Sequence, residues 1–318
     1  MSSELAGPWG ICVLPGSELC VAERGASWRL PPRLRMLTCN GEARGELTLP
    51  AEFDDVQDVM CDGESLWVSD MSSHRVARLR LPDGKVLAVT SGRQGDDHDE
   101  LKYPRAMAYV KGGESLAHAD DLLFICDSGN SRVVAYAAAT LTPLRQYGKP
   151  GREEIFREPG TPRGSVGDQV EDTLARLSRI TREEELELPL GLTTHAGLLY
   201  VVDGYQHCLS VFRIADSYFV RRIGTRGQGG AEFQSPTGVV LVRGRLVVTE
   251  ATRVQVQTPA CSLIWVHHLR PLSLRVFYPR ARAGARPQRC TTPGARASVR
   301  RQPCWRVRRR RQRLLLRD

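Results

Sequence analysis

Short apolar strands that end in a carboxylate recur along most of the chain. They read Leu19-Cys20-Val21-Ala22-Glu23, Leu66-Trp67-Val68-Ser69-Asp70, Leu123-Phe124-Ile125-Cys126-Asp127, Leu199-Tyr200-Val201-Val202-Asp203 and Leu246-Val247-Val248-Thr249-Glu250. Their acids lie 47, 57, 76 and 47 residues apart, so two intervals match and two carry inserts of about 10 and 29 residues. A period in the forties built from short strands predicts propeller blades, one four-stranded sheet per repeat.

The flanks of each acid repeat as well. Upstream, a proline and small residues open another apolar strand, as in Pro8-Trp9-Gly10, Pro104-Arg105-Ala106, Pro189-Leu190-Gly191 and Pro236-Thr237-Gly238. Proline is tolerated at a strand's first residue but breaks a ladder in its middle, so it marks an entrance. Small residues there suit crowding at a propeller axis. Downstream, Arg75–Leu79, Arg132–Tyr136 and Cys208–Phe212 alternate with a period of two, as half-buried strands do. A fourth, outer strand is expected at Lys85–Val89 and Phe219–Ile223, each followed by a Gly-rich link.

Two stretches break the rhythm. The insert at 150–187 is rich in charge, Pro and Gly, and Val170, Leu174, Leu177 and Ile180 follow a helical period, so a short amphipathic helix is expected. The fifth unit reaches its third strand at Arg253–Val256 and the pattern stops. Ser262–His267 can add one further strand. Residues 7–256 are therefore assigned to the repeat domain and 257–318 to an Arg-rich tail, disordered or read from a shifted frame. An Arg:Lys ratio of 41 to 4 fits a GC-rich coding region, in which off-frame reading also yields Arg, Ala and Pro.

Charge changes meaning once the tail is separated. The 318 residues carry a formal net charge of +9. From Gln257 onward there are 16 Arg and one acid, a net of +15, which leaves 29 basic and 35 acidic residues and a net of −6 for the body. An acidic body repels phosphate, so nucleic acid is expected only at the tail or at a local Arg patch. No window has the ~20 apolar residues of a spanning helix, so no membrane association is expected. The nine Cys are never spaced as C-x-x-C and the N-terminus has no secretory pattern, which points to reduced thiols and a cytoplasmic setting.

The repeated units resemble the NHL-repeat β-propeller family. The likeness is tightest at Asp127-Ser128-Gly129-Asn130-Ser131-Arg132-Val133 and continues at Asp70-Met71-Ser72-Ser73-His74-Arg75-Val76. Gly224–Pro236 is similar to that family's inter-blade linker. Cys208 departs from the pattern where Arg is expected, and Arg253 comes two residues early after Glu250. The resemblance implies an all-β fold of about five blades, with an incomplete six-bladed ring as the alternative. It also implies kinship with tripartite-motif and malin-type ubiquitin ligases, although no RING-type zinc cluster precedes the repeats here.

Glu23, Asp70, Asp127, Asp203 and Glu250 recur in every unit, which argues against a catalytic role for any of them. Carboxylates at strand ends accept hydrogen bonds from turn amides, and Arg75, Arg132 and Arg253 stand close enough in sequence to pair with them. The related lactonases and amidating lyase hold metal in a central channel. On the innermost strands here only Asp58 and His195 are candidates for such a site. No nucleophile elbow or P-loop appears. The expected function is non-catalytic protein recognition through a loop-built face, with no cofactor and with a link to ubiquitin ligation. RNA binding and a metal-dependent lactonase- or lyase-like activity are the alternatives.

Overall fold

The computed structural model describes residues 5, 7–24, 31–113, 120–150, 184–258 and 263–268. Twenty strands form five four-stranded antiparallel sheets, each a simple meander in chain order. The first blade is Pro8–Val13, Leu19–Glu23, Arg33–Leu37 and Ala43–Thr48; the second is Val56–Cys61, Ser65–Asp70, Arg75–Arg80 and Val86–Val89. The third is Pro104–Val110, Leu122–Asp127, Arg132–Ala137 and Thr142–Tyr147. Pro189–His195, Leu198–Asp203, Cys208–Arg213 and Phe219–Ile223 make the fourth. The fifth is Gly238–Val242, Arg245–Thr249, Arg253–Gln257 and Leu263–His268.

That last strand pairs with Arg253–Gln257, so the fifth sheet runs past residue 256, where the repeat pattern stops in sequence. The helix expected around Val170–Ile180 and the tail beyond residue 268 lie outside the described residues. The paired feet of the insert are described. Lys149–Pro150 pairs in parallel with Glu185–Leu186, just as Thr225–Arg226 pairs with Glu232–Phe233 in the next linker. Those feet are 36 residues apart in the first case and seven in the second, which places the 29 extra residues in an inter-blade linker. The shorter insert falls in the loop between Val110 and Leu122 of the third blade.

Burial explains why the acid-ending strands are nearly all apolar. Ser65–Asp70 and Leu122–Asp127 are buried at every position, because the second and third sheets are covered on both faces by their neighbours. Successive side chains point to opposite faces. In the third blade Leu123 and Ile125 join a cluster with Trp67 and Val76 of the second, while Phe124 and Cys126 join one with Leu199 and Phe212 of the fourth. Like clusters lie between the first and second blades and between the fourth and fifth.

The innermost strands pack side by side from Pro8–Val13 through Val56–Cys61, Pro104–Val110 and Pro189–His195 to Gly238–Val242. Close approach requires small residues at that level. A Cβ on Gly10 would lie 2.5 Å from the Asp58 Cα, and one on Gly191 would lie 2.8 Å from the Thr237 carbonyl oxygen. Gly10→Ala therefore forces the first and second blades apart and is expected to cost about 1–3 kcal/mol, as overpacking does. Chemical denaturation of the variant checks this, and an unchanged midpoint would show that the inner strands slide freely.

Candidate interaction face

Four innermost strands start opposite the acid that ends their neighbour: Pro8 faces Glu23, Val56 faces Asp70, Pro104 faces Asp127 and Pro189 faces Asp203, while in the fifth blade Gly238 faces Thr249, the residue before Glu250. The five acids, the turns that follow them and the incoming linkers thus share one end of the ring.

All five carboxylates are buried. Asp70 accepts the backbone amides of Asp54 and Asp55 at 3.1 and 3.0 Å. Asp203 accepts those of Glu187, Leu188, Tyr205 and Gln206, at 2.7 to 3.2 Å. Asp127 accepts Lys102 N at 2.6 Å, and Glu250 accepts Gln234 N, also at 2.6 Å. Every one of these four acids therefore takes an amide from the linker entering its own blade. Burial pushes the Asp127 carboxyl up, against the pull of Lys102 N, Asn130 and Arg132.

Arginines complete the lattice. Arg132 donates to Asp127 at 2.7 Å, to the Asp96, Asp97 and Glu100 carbonyls and to Gln146. Arg253 repeats the device on Glu250 at 2.8 Å and on the carbonyls of Gly227, Gln228 and Glu232. Its early position works because the turn is shorter and Glu reaches one methylene further than Asp. Arg75 lies 3.6 Å from Asp70, donates to the Glu52 carbonyl and stacks on Phe53. Where Cys208 replaces the arginine, Arg222 and Gln206 reach the Glu185 carbonyl instead. Arg33, the partner of Glu23 at 2.6 Å, is absent from the sequence-based set. Its signal is position: Arg33 opens the third strand and sits directly opposite Glu23, ten residues on, where a five-residue spacing does not find it.

A second staple uses the left-handed residue before the third strand. His74, at φ 53°, accepts the Tyr103 amide at 3.1 Å, and His207, at φ 57°, accepts the Ser235 amide at 2.8 Å. Ser131, at φ 55°, donates to the Glu187 carbonyl. Each ties one blade's turn to the entry of the next. Burial lowers the His74 pKa, in keeping with a neutral, accepting imidazole.

On this rigid base stand exposed aromatic rings. Trp9, Tyr103 and Tyr205 are 50%, 42% and 67% exposed. Arg24 lies over Trp9 and pairs with Asp55 at 2.8 Å, which in turn accepts from Gln57. The face therefore combines fixed backbone, aromatic area and charge of both signs.

The two channel candidates do not meet. Asp58 occupies the third position of its innermost strand, where its carboxylate accepts Met107 N of the next blade at 2.8 Å and Val59 N at 2.9 Å. His195 is the exposed last residue of the fourth blade's innermost strand, roughly 13 Å further along the strand direction. Among the described residues no three His, Cys, Asp or Glu side chains are grouped as metal ligands. The six described cysteines are free thiols, Cys12 and Cys20 included, although these two are cross-strand partners. No helix among the described residues is long and apolar enough to cross a membrane.

No protein-family model and no curated protein sequence matches the chain. Solved structures do. A streptogramin B lyase structure is similar at 12% identity and a TM-score of 0.51, covering 85% of this chain and 71% of that one. A nidogen/laminin complex is similar at 14% identity and a TM-score of 0.52, covering 82% and 80%. The fold is a five-bladed β-propeller. At these identities the likeness concerns fold alone; the turn chemistry of the propeller has to be read from its own residues.

Proposed function

We propose that this propeller is an NHL-type, non-catalytic protein-interaction scaffold whose partner binds the end of the ring that carries the blade acids. The observation behind this reading is the use made of the carboxylates. All five are engaged by backbone amides or by an arginine, and Trp9 on the first innermost strand, Tyr103 in a linker and Tyr205 in a turn stand exposed to solvent. Rigid loops bearing large amphipathic rings are what protein hot spots are made of. Similar folds include a lyase and a protein complex, so fold by itself does not choose between chemistry and binding. Asp58, engaged by two backbone amides and remote from His195, supports the binding reading over a metal-dependent hydrolase. In keeping with the NHL resemblance, the partner is a substrate presented for ubiquitin ligation, the ligase activity residing outside these blades.

Affinity purification from cells separates the readings. A Trp9→Ala/Tyr205→Ala variant is expected to lose the bound polypeptide at least tenfold, while deletion of residues 269–318 leaves it bound. Association through the rings should persist in high salt. Binding to RNA would instead fall steeply with salt, and recovery of RNA in place of protein would overturn the proposal.

A further inference from the structure

The four inter-blade clusters follow one rule: each sheet offers one apolar face to the blade before it and the other to the blade after it. Among the described residues no such cluster joins the fifth blade to the first, and Gly238–Val242 lacks the side-by-side packing against Pro8–Val13 that the other innermost neighbours share. Two apolar faces are left over. On the first blade, Cys12, Cys20, Ala22 and Leu34 face the second blade, while Trp9, Ile11 and Val13 point the other way and are 50%, 59% and 66% exposed. The cross-strand partners behind that row, Val21 and Leu37, are themselves buried at 4% and 6%, so the exposed part of the face is the innermost strand. On the fifth blade, Leu246 and Val248 face the fourth, while Val240 and Val242 are each 49% exposed. Val247 and Val256 extend the same row.

We propose that this opening receives a β-sheet segment of a partner polypeptide, apolar on both faces, which packs as a further blade. The occupant is defined by continuity with the four interfaces already built. The fifth blade offers the kind of face that meets a following blade, and the first offers the kind that meets a preceding one. Exposed contiguous apolar area of this sort marks interaction surfaces, and only a two-sided apolar sheet covers both faces at once. The surface shares Trp9 with the acid-bearing end, but Ile11 and Val240 lie outside that end, so variants at those two positions test the opening separately from the reading proposed for the acids.

The probe is a copy of this chain's own fourth blade, residues 187–223, carried on a soluble fusion partner; in the protein that blade contributes to clusters on both of its faces. Titrated into the full chain, it should bind saturably at one per chain. Ile11→Lys and Val240→Lys, each on an exposed face, should weaken binding by about 30-fold or more while leaving the unfolding midpoint unchanged. Hydrogen exchange should slow in 8–13 and 238–242 when the probe is bound. As a second measurement independent of fragment folding, the same segment joined by a Gly-Ser linker to residue 1 of the full chain should raise the midpoint by about 5 °C. Absence of both saturable binding and a midpoint rise overturns the proposal. Binding indifferent to the two lysines does so as well. Self-association of the full chain that Ile11→Lys abolishes would assign the opening to a second copy, and protection of both faces in the free monomer would assign it to residues 269–318; either result replaces the partner sheet.

Discussion

Replacing Arg132 with alanine is expected to destabilise the propeller by about 3–5 kcal/mol, because it leaves a buried carboxylate without its counter-charge. The guanidinium is itself buried and makes five hydrogen bonds, to Asp127, Gln146 and three carbonyls of the linker between the second and third blades. Removing it strands those three carbonyls along with Asp127, whose carboxyl burial already pushes up. At roughly 2–4 °C per kcal/mol for a domain of this size, the thermal midpoint should fall by about 10 °C. Arg80→Ala is the control: its pairing with Asp83 is surface-exposed and its removal should change the midpoint little. Denaturant unfolding followed by Trp67 fluorescence reads both variants. A loss below about 1 kcal/mol for Arg132→Ala would show that the linker is held by something other than this lattice.

Much of this lattice is visible in the sequence because it recurs. Asp127 and Arg132 repeat as Asp70 and Arg75, and a pairing seen twice at one spacing can be read without coordinates. The same logic locates 29 inserted residues from interval lengths, and the parallel feet of the linker show where they are carried. What escapes is whatever depends on distance rather than periodicity. Arg33 meets Glu23 at a separation of ten residues, and Arg222 reaches the Glu185 carbonyl from an outer strand; neither has a repeated spacing to betray it. The fourth strand of the fifth blade is legible only in part. Leu263–His268 lies beyond the last recognisable repeat, where the apolar run at Ser262–His267 shows a strand but not its place; the ladder with Arg253–Gln257 supplies that place. The open faces are silent in the sequence. Ile11 alternates with buried neighbours and Val240 with half-buried ones, much as core residues do, and only the missing cluster between the fifth and first blades distinguishes them.

Stability between pH 5 and pH 8 should fall with rising pH, and Asp58→Asn should flatten that slope. In the second blade Asp58 stands where the first, fourth and fifth blades place Gly10, Gly191 and Gly238. A carboxylate is thereby set among tightly packed inner strands, with the Cys12 and Cys126 thiols and the Arg105 side chain on neighbouring blades. Burial pushes its pKa up to about 7, even though the Met107 and Val59 amides favour the charged form. The folded protein therefore holds a proton that the unfolded chain releases near pH 4. Below that value the contribution to stability is complete, and it is lost as pH rises through about 7. At about 1.4 kcal/mol per pKa unit the full shift would be worth about 4 kcal/mol. Asp58 keeps a partly exposed surface, which screens some of this, so about 2 kcal/mol is the expected change across the window. Asp55 and Asp127 are also raised, by burial first, whereas His74 is lowered and acts in the opposite sense. The difference between wild type and Asp58→Asn cancels these shared terms. Asparagine retains an acceptor for one of the two amides and carries no charge, so the variant should be the more stable protein at pH 8 and should lose that advantage at pH 5. Urea midpoints at the two pH values measure this directly. Parallel pH profiles for the two proteins would mean that Asp58 is ionised throughout, and that the ring axis is wet enough to solvate it.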